Sequence, residues 1–179
     1  QETGKSMSEG AQFTHAHMVR FERLLPGPVE HAWRMLTEVA LLPGWYCEGR
    51  IEAKAGGAVE LMGGHIRGIV TQCLPRQRLS YSWNVFNPGD EVSPYPESYL
   101  TLDLKPSGDD TALTLTHLPV LERFVKLNAM GWHTYLDMVA AALRGEGDSV
   151  SEEQLAELLD VGLHVLDGAR GDAGFHRRQ

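Results

Sequence analysis

His117 is the residue of this chain whose setting most invites chemistry. It stands in phase with Leu113 and Leu115, so the two-residue period of an extended strand predicts that its imidazole faces the interior. Burial disfavours the charged ring. A neutral histidine there needs a backbone carbonyl, a hydroxyl such as that of Tyr135 or Ser82, or a ligand oxygen as its hydrogen-bond partner. Large rings surround it in the pattern: Tyr81 and Trp83 share one face of a strand, and Trp132 and Tyr135 belong to one helical run. Such rings fill cores as readily as they line pockets, and both uses are open for each. Trp45 and Tyr46 sit at a helix-to-strand corner, where they can line an entrance with their polar tips toward water. Trp45, Tyr46, Trp83, His117, Trp132 and Tyr135 are therefore the candidate ligand-binding residues.

Other chemistries find less in the sequence. There is no Gly-x-Ser-x-Gly elbow, and Gly4-Lys5-Ser6 resembles the end of a phosphate loop without the upstream glycine or the preceding strand that the loop geometry requires. His15 and His17 can chelate a metal only weakly from a tail, and His65, His117 and His133 lack ligand spacing. No catalytic residue, metal or cofactor is assigned. Cys47 and Cys73 are too few and too far apart for a disulfide framework, and both are expected as free thiols.

A formal net charge of -8 with no Lys/Arg-rich stripe argues against nucleic acid, because neutralising phosphates takes clustered cations. No apolar stretch approaches the roughly 20 residues of a membrane-spanning helix. The first residues also lack a secretory pattern, so a cytoplasmic location is expected. A chain of 179 residues suffices for one well-filled core.

The elements that must position the rings follow from periodicity. Residues 1–17 form an expected flexible tail, and 18–145 the folded domain. A strand is predicted over Val19 to Leu25, ended by Pro26-Gly27-Pro28. A short helix follows, with Val29, Ala32, Trp33 and Leu36 on one face, and Thr37 is the expected cap of a second short helix through Leu41 to Pro43. Strands are then predicted at about Glu48 to Ala55, Ala58 to Met62 and His65 to Leu74, separated by glycine pairs. Three more follow from the alternation through Leu79, Tyr81, Trp83 and Val85, through Leu100, Leu102 and Leu104, and through Leu113, Leu115 and His117. A tight connection at 106–110 joins the last two, and a longer Pro-rich loop at 87–96 is a place for ligand access. Gly131 and Trp132 open an amphipathic run in which Trp132, Leu136, Val139 and Leu143 form one stripe. The extension 146–179 carries a further amphipathic helix at about 151–167, with Ser151 and Gln154 in a capping box. Its apolar face can pack on its own domain, form a homodimer or dock a separate protein.

One strand, two short helices, six strands and a long helix make an α+β domain with an antiparallel sheet. This order resembles the activator of heat-shock-chaperone ATPase homologue-like branch of the START-like, birch-pollen-allergen-like superfamily, over about Met18 to Gly145. The resemblance is carried by Ala32-Trp33, by Leu42 and Trp45, and by Gly68 followed by Pro75 and Leu79. Tyr81-Ser82-Trp83, Leu113-Thr114-Leu115-Thr116-His117 and Gly131-Trp132 complete it. It implies a helix-grip fold, in which a curved seven-stranded sheet wraps the long C-terminal helix around an apolar cavity. It also implies non-catalytic binding of a lipid- or polyketide-like hydrophobic small molecule. A protein-interaction module, including a chaperone-regulatory role in stress response, is the alternative, though nothing in the chain resembles the separate chaperone-binding domain of the family's eukaryotic namesake. An aromatase- or cyclase-like enzyme is the second alternative.

Overall fold

Residues that alternate apolar and polar along 17–120 form seven strands, and the one long helical stripe covers them. The computed structural model describes Gly10 and residues 14–145, so the amphipathic helix expected at 151–167 lies outside the described residues. The elements in chain order are β1 (His17–Leu25), α1 (Val29–Thr37), β2 (Gly49–Ile51), β3 (Ala58–Leu61), β4 (Ile66–Leu74), β5 (Arg78–Val85), β6 (Ser98–Ser107), β7 (Asp110–Val120) and α2 (Val125–Leu143). The strands join in the order β1-β7-β6-β5-β4-β3-β2, every neighbouring pair antiparallel. The result is a curved seven-stranded sheet with a long C-terminal helix, the expected α+β helix-grip architecture.

Strand β7 shows why the sheet has two unlike faces. Thr111, Leu113, Leu115 and His117 are buried, while the residues between them are partly exposed. Leu100, Leu102 and Leu104 repeat the pattern on β6, and Leu79 and Tyr81 continue the inner face on β5. Against that face lie Ala32 and Leu36 of α1 and Trp132, Leu136 and Val139 of α2. Gly68 on β4 permits close strand packing, because a Cβ added there would fall 1.8 Å from the carbonyl oxygen of Ser82.

Several boundaries differ from the sequence reading. The first strand begins at His17, inside the expected tail. Strand β2 is only three residues long, because the chain turns after Glu52 and the Gly57 amide bonds back to the Lys54 carbonyl. Thr37 does not cap a second helix. Its hydroxyl donates to the carbonyl of Trp33 at 2.7 Å and closes α1, and the second helix is a 3-10 turn over Leu42–Gly44. The long helix starts at Val125, preceded by a 3-10 turn at Glu122–Phe124, so Gly131 lies inside it rather than at its opening.

Candidate ligand-binding site

Strand β7 delivers His117 to the inner face, where it is 2% exposed. Its partners come from two other elements. Trp132 of α2 donates its indole N–H to Nδ1 at 3.1 Å, and the Asn128 side-chain amide, one helical turn earlier, meets the same nitrogen at 3.1 Å. An indole nitrogen is a donor only, so Nδ1 is the acceptor and the ring proton sits on Nε2. Nε2 then donates to the Ser98 hydroxyl at 2.8 Å, and Ser98 in turn reaches the Trp83 carbonyl at 3.4 Å. Burial pushes the His117 pKa down to about 4. The two donors on Nδ1 oppose protonation as well, since a proton there would face N–H against N–H.

The expected partners Tyr135 and Ser82 are not the ones used. Ser82 instead accepts from the Ile69 amide at 2.9 Å, across the β4–β5 pair. Ser98 and Asn128 are the hydrogen-bond partners of His117 that the sequence reading missed. Both had a signal: Ser98 stands in phase with Leu100, Leu102 and Leu104, and Asn128 stands four residues before Trp132.

The six candidate residues form one contiguous cluster. Trp83 packs edge-on to His117 at 5.1 Å and to Trp132 at 5.5 Å between centroids. Trp132 approaches Tyr135 at 6.0 Å and stacks on Tyr46 at 5.8 Å. Tyr46 meets Tyr135 edge-on at 4.6 Å and stacks on Trp45 at 4.9 Å. Tyr81, stacked on Trp83 at 6.4 Å, extends the wall along β5. Trp83 and Tyr135 are half-buried, so the cluster reaches the surface.

Trp45 and Tyr46 do not hold their polar tips in water. Each is 2% exposed, and the indole N–H of Trp45 donates to the Met35 carbonyl at 2.6 Å, which ties the corner to α1. The Tyr46 hydroxyl is enclosed and has no hydrogen-bond partner among the described residues, and the same holds for the Oδ1 atom of Asn128. Burial, then the nearby Tyr81, Cys47 and Tyr135 side chains, raise the Tyr46 phenol well above its ordinary value. Burial also pushes Tyr135 up to about 12 and Cys47 up to about 11. All of these groups therefore keep their protons at neutral pH. The arrangement can donate hydrogen bonds; it holds no ready proton acceptor, because both nitrogens of His117 are engaged.

The loop between β5 and β6 lies against the start of α2, where Tyr95 meets Phe124 edge-on at 5.4 Å and Arg123 stands over the Tyr95 ring at 5.7 Å. Cys47 and Cys73 are free. Among the described residues no group of three or more His, Cys, Asp or Glu could hold a metal ion, and no helix is long and apolar enough to cross a membrane. A separate surface cleft of about 390 Å³ lies between the start of α1 and the β6–β7 turn, and it shares no residue with the aromatic cluster.

Solved structures share this fold. The chain is 25% identical to CalU16 from Micromonospora echinospora, with a TM-score of 0.65 over 85% of this chain and 88% of that one. It is 24% identical to MLL2253 from Mesorhizobium loti, with a TM-score of 0.64 over 74% of this chain and 99% of that one. DynU16, described as a putative protein in the dynemicin biosynthetic locus, is 20% identical with a TM-score of 0.65, and 75% of this chain covers 50% of that one. Among curated proteins none matches the chain in sequence. The sequence profile of the family described as activator of Hsp90 ATPase homolog 1-like protein matches residues 26–144, which runs from the turn before α1 through the end of α2. With that match across the sheet, the aromatic cluster and the helix over it, the chain belongs to the activator of Hsp90 ATPase homolog 1-like family.

Proposed function

We propose that this chain binds a hydrophobic small molecule, lipid- or polyketide-like, between the sheet and α2 and does no chemistry on it. The observation that carries the reading is the continuous aromatic wall from Trp45 to Trp83, which reaches the surface at the half-buried Trp83 and Tyr135 rings. Rings of this size give a ligand much apolar contact, and the few polar groups among them supply orientation. The likeness to CalU16 and to DynU16, from a biosynthetic locus, agrees with a small-molecule role. A cyclase-like reaction has less support, because His117 is held neutral with both nitrogens occupied. Native mass spectrometry of gently purified protein tests the reading. A co-purified apolar molecule is the expected result; its persistent absence, with no response to a lipid and polyketide panel, overturns it.

A second reading, a protein-interaction module, draws on the outer face of the sheet. Leu118 and Tyr99 stand opposite each other on β7 and β6, both exposed, with Met18 exposed on neighbouring β1. An exposed apolar row of this kind suits a protein surface, a chaperone's included. An affinity pull-down with Leu118→Asp as control tests it, and recovery of the same proteins by both forms removes its support. A homodimer through 151–167 is a further proposal, and mass in solution that shows a monomer both before and after removal of residues 148–179 rejects it.

A further inference from the structure

The two ends of the sheet are unlike. Strand β2, at one end, is only three residues long, a length that offers little template for another strand. Strand β1, at the other, runs nine residues without a proline and pairs only with β7 among the described residues. Its far edge therefore presents a long row of backbone donors and acceptors of the kind that takes up a further strand. The outer face of β1 indicates which strand fits. Met18, Arg20, Glu22 and Leu24 alternate along it, each more than half exposed. That order, apolar, cationic, anionic, apolar, is its own complement when read backwards. In an antiparallel pair of β1 strands with a two-fold axis at Phe21, Arg20 stands opposite the second copy's Glu22, and Met18 opposite its Leu24. Moving the axis by one residue sets Arg20 against Arg20 or Glu22 against Glu22, and like charges directly opposite are unfavourable. The charges select one register. Within its own sheet β1 gives them no such partners across the strands, because Arg20 and Glu22 face Thr116 and Thr114 of β7 and meet each other at 2.8 Å.

We propose that two copies of this chain dimerise through β1, joining their sheets edge to edge about a two-fold axis at Phe21. The partly buried Phe21 ring then meets its own copy on the inner face, beneath the two ion pairs and two apolar pairs of the outer one. This interface is separate from the aromatic cluster and from residues 151–167, so it stands whatever the site binds.

Charge reversal at these exposed positions provides the test, read by sedimentation equilibrium of the full chain over a range of concentrations. Wild type is expected to dimerise. Arg20→Glu alone, or Glu22→Arg alone, sets like charges opposite each other twice across the axis and is expected to weaken self-association by about tenfold. The double variant Arg20→Glu/Glu22→Arg restores the complement and is expected to dimerise as wild type does. Mixing the two single variants is the decisive arm. Each then meets opposite charges on the other, so a mixed dimer is expected at concentrations where neither variant pairs with itself, and its formation shows that both are folded. A monomeric wild type overturns the proposal and leaves the edge to a different chain. A dimer that both single reversals leave unchanged overturns it in favour of another interface, 151–167 included. Single variants that dissociate without rescuing each other on mixing overturn the register at Phe21 and the proposal with it.

Discussion

The indole N–H of Trp132 points at Nδ1 of His117 across 3.1 Å, so the long helix is fastened to the last strand by a buried hydrogen bond at the centre of the aromatic cluster. The bond fixes the imidazole tautomer and, through Ser98, extends to the Trp83 backbone. Helix, β7, β6 and β5 thus share one polar thread inside an apolar interior.

If that thread acts as a unit, its members are coupled. His117→Phe leaves the Trp132 indole, the Asn128 amide and the Ser98 hydroxyl without their acceptor or donor, at about 1–3 kcal/mol for each group left buried and unpaired. Trp132→Phe then costs less in the His117→Phe background than in wild type, by about 0.5–3 kcal/mol. Urea unfolding of the four proteins checks this, and additive losses would show that the two residues do not interact.

Acid should weaken the fold through the same histidine. The native His117 pKa is lowered to about 4 from an ordinary 6.5, so between these values the unfolded chain binds a proton that the native chain does not. Stability is therefore complete above about pH 6.5 and declines as pH falls toward 4. The shift is worth about 3 kcal/mol across that window. Melting temperatures between pH 7 and pH 4.5 should fall in wild type, and fall less in His117→Phe.

Two glycines predict opposite outcomes. Gly131 lies inside α2, and a Cβ there would meet nothing within 4 Å, so Gly131→Ala should stabilise by about 0.5–1 kcal/mol through helix propensity. At Gly68 the same methyl would fall 1.8 Å from the Ser82 carbonyl oxygen, so Gly68→Ala must separate β4 from β5 and should lower stability sharply. Chemical denaturation of both variants reads the difference, and a Gly68→Ala protein as stable as wild type would contradict the close approach.

Trp45 anchors the corner that carries Tyr46. Trp45→Phe removes the 2.6 Å bond to the Met35 carbonyl, a partly buried contact, at about 1 kcal/mol. Tyr46 fluorescence and near-ultraviolet circular dichroism should change with it, because the two rings stack. An unchanged spectrum would separate the anchor from the stack.

Much of the fold was legible because strand and helix periods are local. The alternation through Leu100, Leu102 and Leu104 predicted an inner face without knowledge of the neighbouring strands, and those residues are buried. The start of α2 was less visible. Gly131 reads as a boundary, while the preceding residues Val125 to Met130 carry Asn128 and no clear apolar stripe; in the fold Val125 packs against the core and Asn128 bonds to His117. Thr37 was misread for a related reason: a hydroxyl that can cap a following helix can equally bond back to the carbonyl four residues earlier, and here it does.

For the site, the sequence by itself determined which side chains face inward: His117, Trp83, Trp132 and their neighbours share faces set by backbone period alone. Only the tertiary structure decided whom each one meets. Ser98 and Trp132 stand 19 and 15 residues from His117, and their approach depends on strand register and on where the helix crosses the sheet. The same holds for Tyr46, whose burial without a partner among the described residues follows from Trp132 and Tyr135 of α2 closing over it, with Tyr81 of β5 nearby. Periodicity is a property of neighbours along the chain, whereas hydrogen-bond pairing and enclosure are properties of segments the chain brings together only when it folds.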